Sequence, residues 1–142
     1  MKRFFKKSSG FTLIELLLVL AILAIVASVG IPAYTGSILK AHRSEAKAAL
    51  MEVYLLQVEY FQDNYTYANL STLVSNSYSN LEYYTITITP AIDGDNPSDT
   101  FTAKATAIGT QADDGACLTY TIDETGEKGS TGTGTASDCW GI

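Results

Sequence analysis

The chain has 142 residues, a length that fits one domain with one modest core and argues against a multidomain enzyme. Its formal charge of −6 hides a split: Lys2, Arg3, Lys6 and Lys7 put +4 on the first ten residues, while the remaining 132 hold 5 basic and 15 acidic side chains. That acidic body argues against nucleic-acid binding driven by counterion release, and against a basic membrane-surface patch beyond the N-terminus.

Residues 16–29 read LLLVLAILAIVASV, without a charge. Extended over residues 11–31, the apolar run has 21 residues and Glu15 is its only charged side chain. A helix of that length, rising about 1.5 Å per residue, covers the roughly 30 Å hydrocarbon core of a bilayer. Basic residues precede the run, whereas Lys40, Arg43 and Lys47 beyond it are offset by Glu45, Glu52 and Glu59. This bias predicts Met1 in the cytoplasm and the body outside. A secretory signal peptide shares the basic-then-apolar layout, with Ala27-Ser28-Val29-Gly30 as a poor cleavage site. Two details oppose that reading. The run is longer than a usual signal, and an acid such as Glu15 at a helix centre costs about 2.5–3.5 kcal/mol on insertion. An ionisable group inside a membrane segment predicts a function for itself.

Pro32 closes the apolar half. It lacks an amide hydrogen and its ring clashes with the Ser28 carbonyl, so a kink or opening is expected there. The pattern beyond it is still helical. Leu39, Ala46, Leu50, Val53 and Tyr60 recur at helical spacing, broadened by Ala49, Leu56 and Phe61, with Gln57 as a polar exception. Residues 32–63 therefore read as an amphipathic helix covering a globular partner. Lys40, His42, Arg43, Glu45, Lys47, Glu52 and Glu59 are assigned to its solvated face. Turn formers at Asp63-Asn64 end it. A continuous helix from Phe11 would have about 54 residues and extend about 80 Å.

Residues 64–82 read as a loop with weak helical content, in which Tyr65, Tyr67 and Tyr78 pack between loop and sheet. Its Asn64-Tyr65-Thr66 and Asn69-Leu70-Ser71 triplets match a glycosylation pattern that chance explains in so polar a composition. Three alternating, β-branched runs follow at 83–89 (YYTITIT), 100–108 (TFTAKATAI) and 117–122 (CLTYTI). The segments Asp93-Gly94-Asp95-Asn96-Pro97 and Asp113-Asp114-Gly115 supply hairpin connections, which predicts an antiparallel meander. Residues 126–135, dominated by Gly and Thr, are expected to be an exposed, mobile loop. Asp93, Asp95 and Asp99 fail the calcium-loop spacing and read as solvated turn carboxylates, so no metal is expected.

Cys117 and Cys139 fall in the body that the charge bias places outside the cytoplasm, where a disulfide is the favoured state. No catalytic constellation is visible: His42 is the only histidine, and no Cys-x-x-Cys or phosphate-cradling glycine loop is present. Neither an enzymatic activity nor a cofactor is predicted.

Lys6-Lys7-Ser8-Ser9-Gly10-Phe11-Thr12-Leu13-Ile14-Glu15, followed by the apolar run, resembles the leader and helix start of type IV prepilins. The stretch from Cys117-Leu118-Thr119-Tyr120 through Thr125-Gly126 to Cys139-Trp140 resembles the tail of E-type type IVa pilins. The resemblance implies an α+β pilin fold: a long N-terminal helix packed on a small antiparallel sheet with a C-terminal disulfide loop. Its parts would be a cleaved leader (1–10), a transmembrane and filament-core helix (11–31), the amphipathic helix (32–63) and a globular head (64–142). It implies cleavage between Gly10 and Phe11 by a prepilin peptidase, N-methylation of Phe11, and an assembly-register role for Glu15. Pro32 matches a proline of related pilins at the helix kink, and Cys117 with Cys139 matches their disulfide. The implied function is a structural subunit of an extracellular type IV pilus, serving adhesion, twitching motility or DNA uptake. Implied partners are other pilin subunits, the peptidase, an inner-membrane assembly platform, and the membrane before assembly, with no nucleic acid expected from the charge. The alternative is a type II secretion pseudopilin, against which the cysteine pair argues. A monomeric anchored binding protein would leave Gly10-Phe11 and Glu15 unexplained.

Overall fold

The computed structural model describes residues 10–74, 81–93 and 96–142, and gives side chains for all of these except 91–93 and 96–99. The chain divides into two compact units, Met1–Ser37 and Ile38–Ile142. Helix α1 (Leu13–Asn64, 52 residues) forms the described part of the first and opens the second. In the first unit, every described residue up to position 35 is exposed. The Leu- and Ala-rich sequence there favours helix at nearly each position. Its surface is apolar on all sides, the mark of a helix meant for a membrane or for other helices. Length and composition suffice for this stretch to cross a bilayer.

The second unit holds the core. Here α1 turns Ala46, Ala49, Leu50 and Val53 inward, one face at helical spacing. They meet a four-stranded antiparallel sheet in sequential order: β1 (Tyr84–Asp93), β2 (Asn96–Ala107), β3 (Thr119–Asp123) and β4 (Lys128–Thr131). Register sets Ile86 opposite Ala105, Ala105 opposite Tyr120, and Ala103 opposite both Ile88 and Ile122. Alternation does the sorting: Phe101, Ala103 and Ala105 are buried while Thr102 and Lys104 between them are exposed. The alanines on both helix and sheet let the two layers approach, and Tyr84, Phe101 and Tyr120 fill the remaining volume. Tyr84 meets Tyr120 edge to face at 6.0 Å, and Tyr120 meets Trp140 likewise at 5.6 Å. Burying a side chain such as Phe101 contributes about 1.5–3 kcal/mol.

Three short elements complete the head: α2 (Leu70–Leu73), a 3₁₀ turn (Gly109–Asp113) and α3 (Ala136–Trp140). One sequence expectation needs correction. Three strands were predicted and four are present, because β4 lies inside the segment expected to be an exposed loop. Its Lys-Gly-Ser-Thr sequence has no apolar alternation, so the strand is stabilised by its neighbours instead. Tyr120 and Ser130 are paired in register, the Thr119 and Thr131 hydroxyls lie 2.7 Å apart, and the Trp140 indole donates to the Gly129 carbonyl. A glycine at 129 leaves room for the Thr121 hydroxyl, which would have to shift for a Cβ 2.5 Å away. The Asp113-Asp114-Gly115 segment lies, as expected, in the connection between the antiparallel strands β2 and β3, at the end of the 3₁₀ turn, and Asp114 carries an ion pair described below. The Asp93/Asp95/Asp99 cluster lies outside the described residues and side chains, as does Tyr78.

Candidate functional site

At its N-terminus α1 is closed by a reciprocal pair. The Thr12 amide and hydroxyl both donate to Glu15 Oε2 at 2.9 Å, and the Glu15 amide donates back to the Thr12 hydroxyl at 3.3 Å. This is a capping box, and it places a carboxylate where the helix dipole favours negative charge. Phe11 beside it is 85% exposed, and Leu13, Ile14 and the leucines beyond are exposed too. The helix runs unbroken through Pro32. Around it, the Ser28, Thr35 and Ser37 hydroxyls donate to the carbonyls of Ile25, Ile31 and Ala33. Pro32 leaves the Ser28 carbonyl without its helical donor, and the back-bonding on either side of it favours bending.

In the head, the face of α1 assigned to solvent is partly engaged. Arg43 donates to both Asp114 oxygens, at 2.7 and 2.8 Å, in a pair whose side chains are only 13% and 6% exposed. Gln111, fully buried, donates to the Leu39 carbonyl at 3.0 Å and to Asp114 at 3.3 Å. Its amide oxygen therefore remains to accept from His42 Nδ1, 3.1 Å away, which fixes the proton on that nitrogen. The His42 ring also stacks on Tyr83 at 3.5 Å. His42 and Arg43 thus clamp the 3₁₀ turn onto α1, a correction to their expected solvation. The partner residues lie about 70 positions downstream, beyond any local pattern. Arg43 beside it holds the Asp114 carboxyl below the usual range, and the same pair raises Arg43. Burial pushes the Tyr84 phenol up to about 12, and raises Tyr120 as well.

The polar exception in the stripe has its own reason. Gln57 is fully buried, and its side-chain amide pairs with both backbone groups of Ala68, at 2.6 and 3.0 Å. It acts as a one-residue strand partner that ties the post-helix loop to the core. Tyr67 packs between Phe61 and Phe101 at 4.7 and 4.8 Å, as expected of a loop tyrosine, while Tyr65 is 79% exposed. Asn69 of the second glycosylation-like triplet caps α2.

Cys117 and Cys139 form a disulfide that joins the entry of β3 to α3. The segment between them is fixed at its far end by a second capping box, Thr135 with Asp138, and by Gly141 in the left-handed region. Trp140 packs on Tyr120 and lies under the Lys128 ammonium, 5.4 Å from the ring centre. Among the described residues, no three His, Cys, Asp or Glu side chains gather as metal ligands do.

An exposed apolar helix, a small meander and a C-terminal bridge coincide with what known proteins show. Residues 5–31 match the family model described as the prokaryotic N-terminal methylation motif. Residues 32–121 match the model described as the type IV minor pilin ComP, DNA uptake sequence receptor. The chain belongs to the type IV pilin family. Over 69 residues it is 36% identical to the type IV major pilin protein PilA of Myxococcus xanthus, a match spanning 49% of this chain and 31% of that protein. A type IV pilin structure from Shewanella oneidensis is similar over 63% of this chain and 89% of its own, at 24% identity and a TM-score of 0.50. The non-core minor pilin PilV of Neisseria meningitidis is similar over 68% and 89%, at 20% identity and a TM-score of 0.51. These two show that the fold is the pilin fold. Pilins are structural subunits that assemble into filaments with other pilins.

Proposed function

We propose that this pilin is a structural subunit of an extracellular type IV pilus, and that it polymerises through the first half of α1. The observation that carries this reading is a 52-residue helix whose apolar first half is exposed at every described residue up to position 35. Such a surface is stable in lipid or against other helices, and in lipid the exchange between the two is nearly balanced. Assembly then needs an inner-membrane platform to extract subunits. In this reading a prepilin peptidase cuts between Gly10 and Phe11 and methylates Phe11. Cleavage removes the +4 leader and leaves a single N-terminal charge next to the Thr12–Glu15 box. Glu15 is then shared between its own helix cap and the Phe11 amine of a neighbouring copy, which sets the axial register. Breaking such a desolvated pair costs about 3–5 kcal/mol. Pro32 and the hydroxyls around it mark where the helix bends or opens during packing.

The test is fractionation of cells that express the chain and its Glu15→Ala variant. The wild type is expected in sheared surface filaments. The variant is expected to be cleaved normally yet to remain in the membrane, and normal filaments from it would remove the register role. A second reading, DNA contact by the head, is favoured by the description of the family model matched over residues 32–121. The mature side-chain charge of −10 opposes it. Arg43 is spent on Asp114, and Lys128 lies over Trp140. A gel-shift titration at low salt is expected to show no binding to duplex DNA; saturable binding with a steep salt slope would reverse that ranking.

A further inference from the structure

The head carries a cleft of about 250 Å³ at the end of α1, lined by Leu56, Glu59, Tyr60 and Asp63 of that helix and by Thr72 and Leu73 of α2. Leu56, Tyr60 and Leu73 give it apolar surface, and Glu59 and Asp63 stand one turn apart in its lining, both exposed. Neither takes part in an ion pair among the described residues. Such a site fits the stem and ammonium of a lysine: the methylenes lie on Leu56 and Tyr60 while the head group meets the carboxylates. Among the described residues, Lys40 matches that description. It is exposed on the same helix and, among the described residues, no hydrogen bond or ion pair engages it, whereas Arg43 is held by Asp114 and Lys47 donates to the Trp140 carbonyl. The other free exposed lysine, Lys104, lies on the sheet face turned away from the core and from α1.

We propose that Lys40 of one copy occupies the Glu59/Asp63 cleft of another, as the second contact that fixes register between subunits. Lys40 and Glu59 are 19 positions apart on one helix, which is about 30 Å along the axis. They also lie about 100° apart around it. One copy therefore cannot satisfy itself, and the two halves of the contact sit on different faces. That makes the contact heterologous: each copy gives Lys40 to one neighbour and its cleft to another, and the series stays open as in a filament. Charge supplies the reason for it. Heads with five basic against fourteen acidic side chains repel one another, and pairing a free cation with two free carboxylates relieves this where the copies touch.

The inference rests on the proposed assembly through α1, and the test separates the two. Filament yield is measured for the full chain in cells, beside its amount in the membrane. Lys40→Glu and Glu59→Lys are each expected to lower yield about tenfold, equal to 1.4 kcal/mol, with normal membrane levels. The double variant Lys40→Glu with Glu59→Lys is expected to restore it. Lys40→Cys with Asp63→Cys, joined by a short thiol crosslinker in filaments, is expected to give a ladder beyond the dimer. Single variants that assemble normally, or a double variant that does not recover, or crosslinking that stops at the dimer, would overturn the contact. Absence of the wild type from filaments would instead overturn the reading on which it rests.

Discussion

The two ends of α1 solve opposite problems with the same backbone. From residue 38 onward the helix buries a stripe against a sheet, and its polar exceptions have partners: Gln57 on Ala68, His42 on Gln111, Arg43 on Asp114. Up to residue 35 it exposes every described side chain, most of them large and apolar. The difference teaches where each part gets its stability. The head closes on itself and is a folding unit. The N-terminal half has no core of its own, so its stability belongs to whatever surrounds it, lipid or other copies. Damage to the head should therefore appear in unfolding of the single chain, and damage to the helix half in assembly only.

That contrast is open to attack with the full chain in detergent micelles, followed by denaturant unfolding. The largest loss is expected for Phe101→Ala, about 3–5 kcal/mol, because the ring fills the gap between Tyr54, Tyr67 and the sheet. Cys117→Ser is expected to lose about 3 kcal/mol, the chain-entropy value for a loop of this size. Gln57→Leu should lose about 2 kcal/mol by leaving the Ala68 amide and carbonyl unpaired. In the other half, Leu20→Ala should change head stability by less than about 0.5 kcal/mol while lowering filament yield. A comparable unfolding loss there would break the division between the two regions.

Acid and alkali sharpen the same point, since the buried ionisable groups with shifted titration sit in the head. Asp114 titrates below its unfolded value, so the Arg43 pair contributes fully above about pH 4 and is lost as pH falls through the depressed folded value. Tyr84 is raised, so its contribution is complete below about pH 10 and lost as pH rises towards about 12. Stability is therefore expected to be flat between these limits. An Asp114→Asn variant should have a shallower acid-side slope, which unfolding curves between pH 2 and pH 5 measure, with Asp123 and Asp138 supplying the remainder.

Much of this was legible because it is periodic or local. The apolar run, the alternation in 100–108 and the pairing of Gly10-Phe11 with Glu15 are each carried by residues within one element. The capping box at Thr12 was legible only as a charge near a helix start, since the reciprocal bonds depend on the Thr12 rotamer. What escaped was non-local. His42 and Arg43 look like solvated helix residues until a turn 70 positions away closes on them. β4 escaped because Lys-Gly-Ser-Thr has no strand pattern, and its place is set by Thr119, Thr121 and Trp140 from other elements. The Lys40 and Glu59/Asp63 pair shows the same limit from the other side: as sequence it is a charged helix face, and only the cleft built with α2 distinguishes it.

The central claim is that residues 11–35 serve as a retained assembly surface rather than as a discarded signal. Mass spectrometry of the subunit from sheared surface filaments tests it most directly. A chain that begins at Phe11, carries one methyl group on its amine and keeps the Cys117–Cys139 bridge is the expected result. A chain in filaments that still begins at Met1, or a cell-associated chain that has lost the apolar run, would contradict it.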